Sequence, residues 1–241
     1  MAIEIGRVEA LFRYPIKSMA GESLEAAALG WHGVEGDRRL AFRRLDGRGG
    51  FPWLTGGRLP ELTSFTPVRK GHVDRPLPSH VRTPEGEEMP LYSEELAADV
   101  SRRHGHPVRM MNLKHGIFDE GTVSVIAAST IAELARLTET ETDVRRFRPN
   151  ILVQTTDDRP FEEDEWVGGT LRFGVGDDAA TVAVTMRDLR CSMINIDPEG
   201  GPSNPALMKA CVRVNDNHAG VYATVTRAGR LAVGQTITLH R

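Results

Sequence analysis

A mostly β (α+β) protein with β-barrel architecture and few short helices is what this sequence predicts, on three observations. Short strand-like runs recur from one end to the other, turn signals separate them at intervals of about 8–12 residues, and helical spacing appears in few stretches.

The first strand reads as Val8 to Arg13, stopped by Pro15, which cannot donate to a ladder. Leu24 to Leu29 reads as a second, and glycines at 30, 33 and 36 mark turns before a run through Phe42. Residues 45–60, rich in glycine and carrying Phe51 and Trp53, read as a loop rimming a pocket. Strands are expected at Leu62 to Val68 and at Val81 to Thr83. Ser93 caps a helix whose first turn holds Glu94 and Glu95, with Leu96, Ala97 and Val100 at helical spacing and Gly105 closing it. A strand from Val108 to Leu113 precedes the turn at Phe118 to Gly121. That turn divides the chain into an expected N-terminal domain, 1–115, and a second domain, 116–241.

Val123 to Ala127 then reads as a buried strand, followed by a helix from about Ser129 in which Thr130 and Glu133 have capping-box spacing. Asp143 to Arg148 has room for barely one helical turn before Pro149. Strands follow at Asn150 to Gln154, Leu171 to Phe173 and Thr181 to Met186. Asn204-Pro205 starts a short helix through Cys211, and Gly220 to His240 reads as a closing β-meander.

Composition excludes several classes of function. The chain has 241 residues, 40% hydrophobic and 26% charged, with a net charge of −3, as in an ordinary globular protein. That charge argues against nucleic-acid binding by bulk electrostatics. No apolar run approaches the roughly 20 residues that span a bilayer, so no membrane span is expected. The first residues carry no basic-then-apolar pattern, so a cytoplasmic location is the expectation. Neither G-x-x-x-x-G-K-[ST] nor G-x-G-x-x-G occurs. Two cysteines and eight histidines match no zinc spacing, so any metal is expected to arrive within a cofactor.

One segment concentrates chemistry. Cys191 stands where the Thr181 to Met186 strand gives way to a loop, close to Arg187 and Arg190, with Asp197-Pro198 opening a turn. A thiol among guanidinium groups is a candidate thiolate, the form that acts as nucleophile and metal ligand. A lone cysteine at a strand end is more often a small buried hydrophobe than a reactive centre, and that is the expected role of Cys211. Lys17, one of only four lysines among 30 basic residues, comes off a strand end where a point charge could hold a phosphate. Arg38 opens another strand-like run. Arg145, Arg146 and Arg148, beside Asn150, make an anion site readable at a strand mouth.

Taken together, Tyr14-Pro15-Ile16-Lys17-Ser18, Gly36-Asp37-Arg38-Arg39, Arg146-Phe147-Arg148-Pro149-Asn150, Arg190-Cys191 through Asp197-Pro198, and Gly220-Val221-Tyr222 with Val233-Gly234-Gln235 resemble the MOSC family. That family is named after the C-terminal domain of molybdenum cofactor sulfurase, here preceded by its N-terminal β-barrel domain. The resemblance extends to the amidoxime reducing components and their bacterial counterparts, oxidoreductases that reduce N-hydroxylated compounds. It implies a pyranopterin molybdenum cofactor with Cys191 as both catalytic residue and metal ligand. It also implies that Lys17, Ser18, Arg38, Asp119, Arg148, Asn150 and Arg190 bind the cofactor. Where the family has a D-[ST]-[SP] turn, this chain has Asp119-Glu120-Gly121-Thr122, a departure at the local contacts. The implied activity takes a small-molecule substrate and needs an external electron-donor protein, of flavin, haem or iron-sulfur type. The alternative is a carrier of molybdenum cofactor or of sulfur that turns over no substrate. The loops at 47–57 and 199–204 are expected to border the pocket.

Overall fold

The computed structural model describes residues 2–46, 50–71, 76–114, 116 and 120–241. In chain order its strands begin with β1 (Ala2–Arg13), β2 (Glu22–Leu24), β3 (Ala26–Gly30), β4 (Gly33–Val34) and β5 (Leu40–Arg44). Next come β6 (Thr66–Val68), β7 (His80–Arg82), β8 (Glu88–Pro90), helix α1 (Glu94–His104) and β9 (Val108–Asn112). The second half runs β10 (Val123–Ala127), α2 (Ala128–Thr138), β11 (Ile151–Thr155), β12 (Thr170–Phe173), β13 (Ala180–Leu189), α3 (Pro205–Asn215), β14 (His218–Arg227), β15 (Gly229–Ala232) and β16 (Thr236–His240).

Seven strands close a barrel in the order β11–β10–β14–β13–β12–β16–β1, and β1 pairs back onto β11. Closure removes the exposed ladder groups that an open edge would present. The fold is therefore mostly β with three short helices, and its first strand completes a barrel otherwise built from residues beyond 120. β10 and β11 run parallel, which requires a crossover, and α2 supplies it. All five residues of β10 are buried because both of its faces are covered. Val123 and Val125 join the barrel interior with Val182, Val221 and Leu239, whereas Ile126 faces outward onto Leu134, Leu207 and Cys211 beneath α2 and α3. A separate core of Ile16, Leu40, Phe42, Leu62, Phe65, Leu96 and Met110 holds the N-terminal sheets and α1. Among the described residues no helix is long and apolar enough to cross a membrane.

Several local expectations change. β1 starts at Ala2, because the polar alternation before Val8 is a barrel ladder paired with β16. The run at Leu24 to Leu29 is two strands, and Leu62 to Val68 begins as a 3-10 turn over Pro60–Ser64, where proline favours the first turn. The closing meander is not one: β14 lies between β10 and β13, β15 leaves the barrel to pair with β3, and β16 lies between β12 and β1. Ser93 and Gly105 do cap α1, the Ser93 side chain accepting from the Leu96 amide at 3.1 Å and Gly105 adopting a left-handed conformation.

The expected capping box of α2 is absent, since Ala127 occupies the cap position. Thr130 instead donates its hydroxyl to the Glu163 carboxyl at 2.8 Å, and the Gly220 amide donates to the other carboxyl oxygen at 3.1 Å. Glu163 is fully buried, and burial pushes its pKa from 4.5 up to about 7. The folded protein therefore binds this proton more tightly than the unfolded chain, so stability falls as pH rises from about 4.5 through about 7. The loss amounts to about 3 kcal/mol. Glu163→Gln is expected to remove that fall, gaining stability relative to wild type at pH 8 but not at pH 4. Urea denaturation across that range checks it, and parallel pH profiles for the two proteins would refute it.

Candidate functional site

The strand that leads to Cys191 is irregular, and its register against β14 shifts between Arg187 and Leu189. Beyond the shift, Asp188 and Arg190 turn inward, while Leu189 and Cys191 are exposed. Cys191 then caps a 3-10 turn over Ser192–Asn195. Its thiol lies in a cleft of about 470 Å³ whose other walls come from distant chain segments, Lys17, Ser18, Arg38 and Arg148 among them. Thr55, Glu120, Ser124, Met193 and Tyr222 line it as well. The volume lies within the range of small-molecule and cofactor sites.

Three of the residues that sequence reasoning singled out have positive φ: Ser18 at 66°, Arg38 at 48° and Arg148 at 52°. L-residues occupy this region at a cost, and such strain concentrates at ligand sites. At Arg148 the following Pro149 disfavours the right-handed helical alternative. Both guanidinium groups lie over the buried Tyr14 ring, Arg148 at 4.2 Å and Arg38 at 5.1 Å from its centroid. Arg38 also donates to the Arg148 carbonyl at 2.8 Å, and Arg148 to the Met19 carbonyl at 2.7 Å. Asp37, itself fully buried, accepts from the Tyr14 amide at 2.7 Å and pairs with Arg38. The Lys17 ammonium stands 5.6 Å from the Phe51 ring centroid.

The arginines next to Cys191 in sequence act elsewhere. Arg187 pairs with Asp164 at 2.9 Å and donates to Asn215. Arg190 does reach the cleft wall, but as a strut: it pairs with Asp188 at 2.9 Å and donates to the Ala219 carbonyl at 2.7 Å and the Phe147 carbonyl at 2.8 Å. Asn150, expected to contact ligand, does not line the cleft. Its side chain accepts from the Ser124 amide at 3.1 Å and from Arg38 at 3.5 Å, and it donates to the Phe12 carbonyl at 3.3 Å. These bonds place it behind Arg38, as an anchor. Asp119 lies outside the described residues. Cys211 is a fully buried free thiol, and burial pushes its pKa up to about 11, so it stays protonated and inert.

A continuous polar chain runs under the cleft. Arg190 meets Asp188, Asp188 accepts from the Ser124 hydroxyl at 3.2 Å, and the Ser124 amide meets Asn150, which meets Arg38 and through it Asp37. Ser124 and Asp188 escaped the sequence reading, and Asp37 entered it only within the Gly36-Asp37-Arg38-Arg39 motif, without a role of its own. The one available signal was alternation, since in Arg187-Asp188-Leu189-Arg190 the opposite charges at 188 and 190 share a strand face.

The 50–59 loop closes one end of the cleft. Thr55 and Gly57 line it, and a Cβ at Gly56 would stand 2.5 Å from the Met193 sulfur, so this loop lies directly on the turn after Cys191. From the second expected loop, no described residue between 199 and 204 lines the cleft; Gly200 instead approaches Ser64.

The closed barrel thus presents the exposed Cys191 to a cleft lined by Lys17, Arg38 and Arg148, an arrangement suited to holding an anionic ligand. The sequence matches the MOSC domain over residues 100–238 and the MOSC N-terminal beta barrel domain over residues 5–128. The chain belongs to the MOSC family, which is associated with binding of molybdenum cofactor. No curated protein matches it significantly in sequence. Among solved structures it is similar to the YUAD protein from Bacillus subtilis, at TM-score 0.55 and 14% identity over 100% of this chain and 97% of that one. YiiM from Geobacillus stearothermophilus matches at TM-score 0.38 and 17% identity, over 50% of this chain and 55% of that one. At these identities the likeness to YUAD establishes fold alone.

Proposed function

We propose that this protein is a molybdenum-cofactor-dependent oxidoreductase that reduces N-hydroxylated small molecules with electrons from an external donor protein. The observation that carries the reading is the convergence of Lys17, Ser18, Arg38 and Arg148 on the cleft that holds the exposed Cys191. These residues fit the group. A soft thiolate suits molybdenum, and the cations supply charge-assisted hydrogen bonds to anionic phosphate and dithiolene.

In this reading Cys191 ligates the metal and Lys17, Arg38 and Arg148 hold the anionic groups. Ser18 and Asp119 make polar contacts to the pterin. Arg190 and Asn150 fix the wall and Arg38, and so act through other residues. When bound, the cofactor supplies the two-electron chemistry by which an N–OH group, two electrons and two protons become N–H and water. Leu189, Met193 and Tyr222 give the cleft its apolar side, where a substrate body packs. With no dinucleotide fingerprint in the sequence, the electrons come from a separate protein.

The exposure of Cys191 also favours a second reading, in which the thiol hands on a cofactor or a persulfide sulfur without turnover. One experiment separates the two. Freshly purified protein is assayed for molybdenum and for oxidation of a chemically reduced dye in the presence of an amidoxime. Stoichiometric molybdenum with sustained dye oxidation is expected. Molybdenum without turnover overturns the oxidoreductase in favour of the carrier, and absence of molybdenum from protein produced in a host that makes the cofactor overturns both cofactor readings.

A further inference from the structure

A second cavity of about 20 Å³, which shares Arg146 and Arg148 with the cleft, is lined in part by Tyr14, Gly21, Thr63 and Arg145. It has room for one occupant the size of a water molecule. Two of its lining residues carry buried polar atoms without a hydrogen-bond partner, the Tyr14 hydroxyl and the Arg146 Nε. Both side chains are more than nine-tenths buried, at 1% and 7% exposure. Buried polar groups are almost always satisfied, so each orphan calls for an explanation.

The rest of Arg146 is engaged. One terminal nitrogen donates to the Asn195 carbonyl at 3.1 Å and the other to the Asp197 carboxylate at 2.7 Å, which leaves the Nε–H alone. Tyr14 cannot swing its hydroxyl to another partner. Its ring sits against the Arg38 and Arg148 guanidinium groups and against Gly21, where a Cβ would stand 2.4 Å from the ring. Burial pushes the Tyr14 pKa up to about 12, so the hydroxyl is a donor at neutral pH.

We infer that this cavity binds a single monatomic anion of halide type, accepting hydrogen bonds from the Tyr14 hydroxyl and the Arg146 Nε. The donor character of the site favours an anion over a water. Three guanidinium groups line the cavity, and among the described residues that line it none carries a carboxylate. Asp197 meets Arg146, and Asp143 and Glu199 meet Arg145, each without lining the cavity. Both orphan atoms are donors, and an acceptor-only ion satisfies them while bringing no hydrogens that need acceptors of their own. The inference does not rest on the molybdenum reading, because its two orphan donors belong to Tyr14 and Arg146, to which that reading gives no role, although Arg148 lines both sites.

Bromide-soaked crystals of the wild-type protein test the site directly. An anomalous peak between Tyr14 and Arg146 is expected, and a water or empty density there without anomalous signal overturns the inference. In solution, the thermal midpoint is measured in sodium chloride and in sodium gluconate at equal ionic strength. Chloride should raise it in wild type and do so markedly less in Tyr14→Phe, which keeps the ring and loses the donor. An equal chloride response in both proteins overturns the inference, and should the variant fail to fold, the bromide experiment on wild type decides alone.

Discussion

Cys191→Ser is expected to lower both molybdenum content and amidoxime turnover by about 100-fold or more. Loss of a residue that merely orients a ligand costs about 10–100-fold in metal affinity or activity, and loss of the soft ligand itself should exceed that. The exposed position of residue 191 keeps the stability effect of the swap within about 0.5 kcal/mol, so matching thermal melts of the two proteins freed of cofactor, whose binding would itself stabilise the wild type, separate ligation from folding. Elemental analysis and dye oxidation on the same preparation give the answer. Equal molybdenum in the two proteins would sink direct ligation, and retained molybdenum with lost turnover would move Cys191 from ligand to substrate-side chemistry.

The parts of this site that sequence made legible are those with local signatures. Lys17, Ser18, Arg38 and Arg148 stand at turns punctuated by Pro15, Gly36 and Pro149, and turn chemistry is a property of neighbouring residues. Their convergence on Cys191 depends on β1 closing the barrel against β11 and β16, a pairing of residues more than a hundred positions apart that no local pattern encodes. The same limit applies to the closing strands. Each of β14, β15 and β16 was recognisable by alternation, yet which strand each would join was set by the packing of Val221, Leu231 and Leu239 into one interior. Thr130 shows the opposite failure: its spacing to Glu133 fits a capping box, and a buried Glu163 from another segment took its hydroxyl instead. The charges flanking Cys191 were legible as charges but not as partners. Arg187 and Arg190 look like activators of the thiol until Asp164 and Asp188 are placed beside them.

That pairing makes Asp188→Ala the substitution with the largest expected effect on stability. Asp188 and Arg190 are 2% and 8% exposed, and removing one partner of a buried ion pair costs about 3–5 kcal/mol, because the other charge is left uncompensated. Two carbonyls, of Ala219 and Phe147, still accept from Arg190, which places the expectation toward the lower end. The loss would appear in urea denaturation, and a change under about 1 kcal/mol would mean that the carbonyls alone hold the guanidinium. Replacing both partners with apolar residues, as in Asp188→Leu with Arg190→Met, is expected to restore much of the stability, since such swaps are often neutral or better. It should not restore the cleft. Leu189 and Cys191 owe their outward direction to the inward anchoring of residues 188 and 190, and Ser124 loses its acceptor when Asp188 is gone. A double variant that folds as well as wild type but retains less molybdenum would assign the pair to positioning Cys191. One that retains it fully would leave the pair a structural role only.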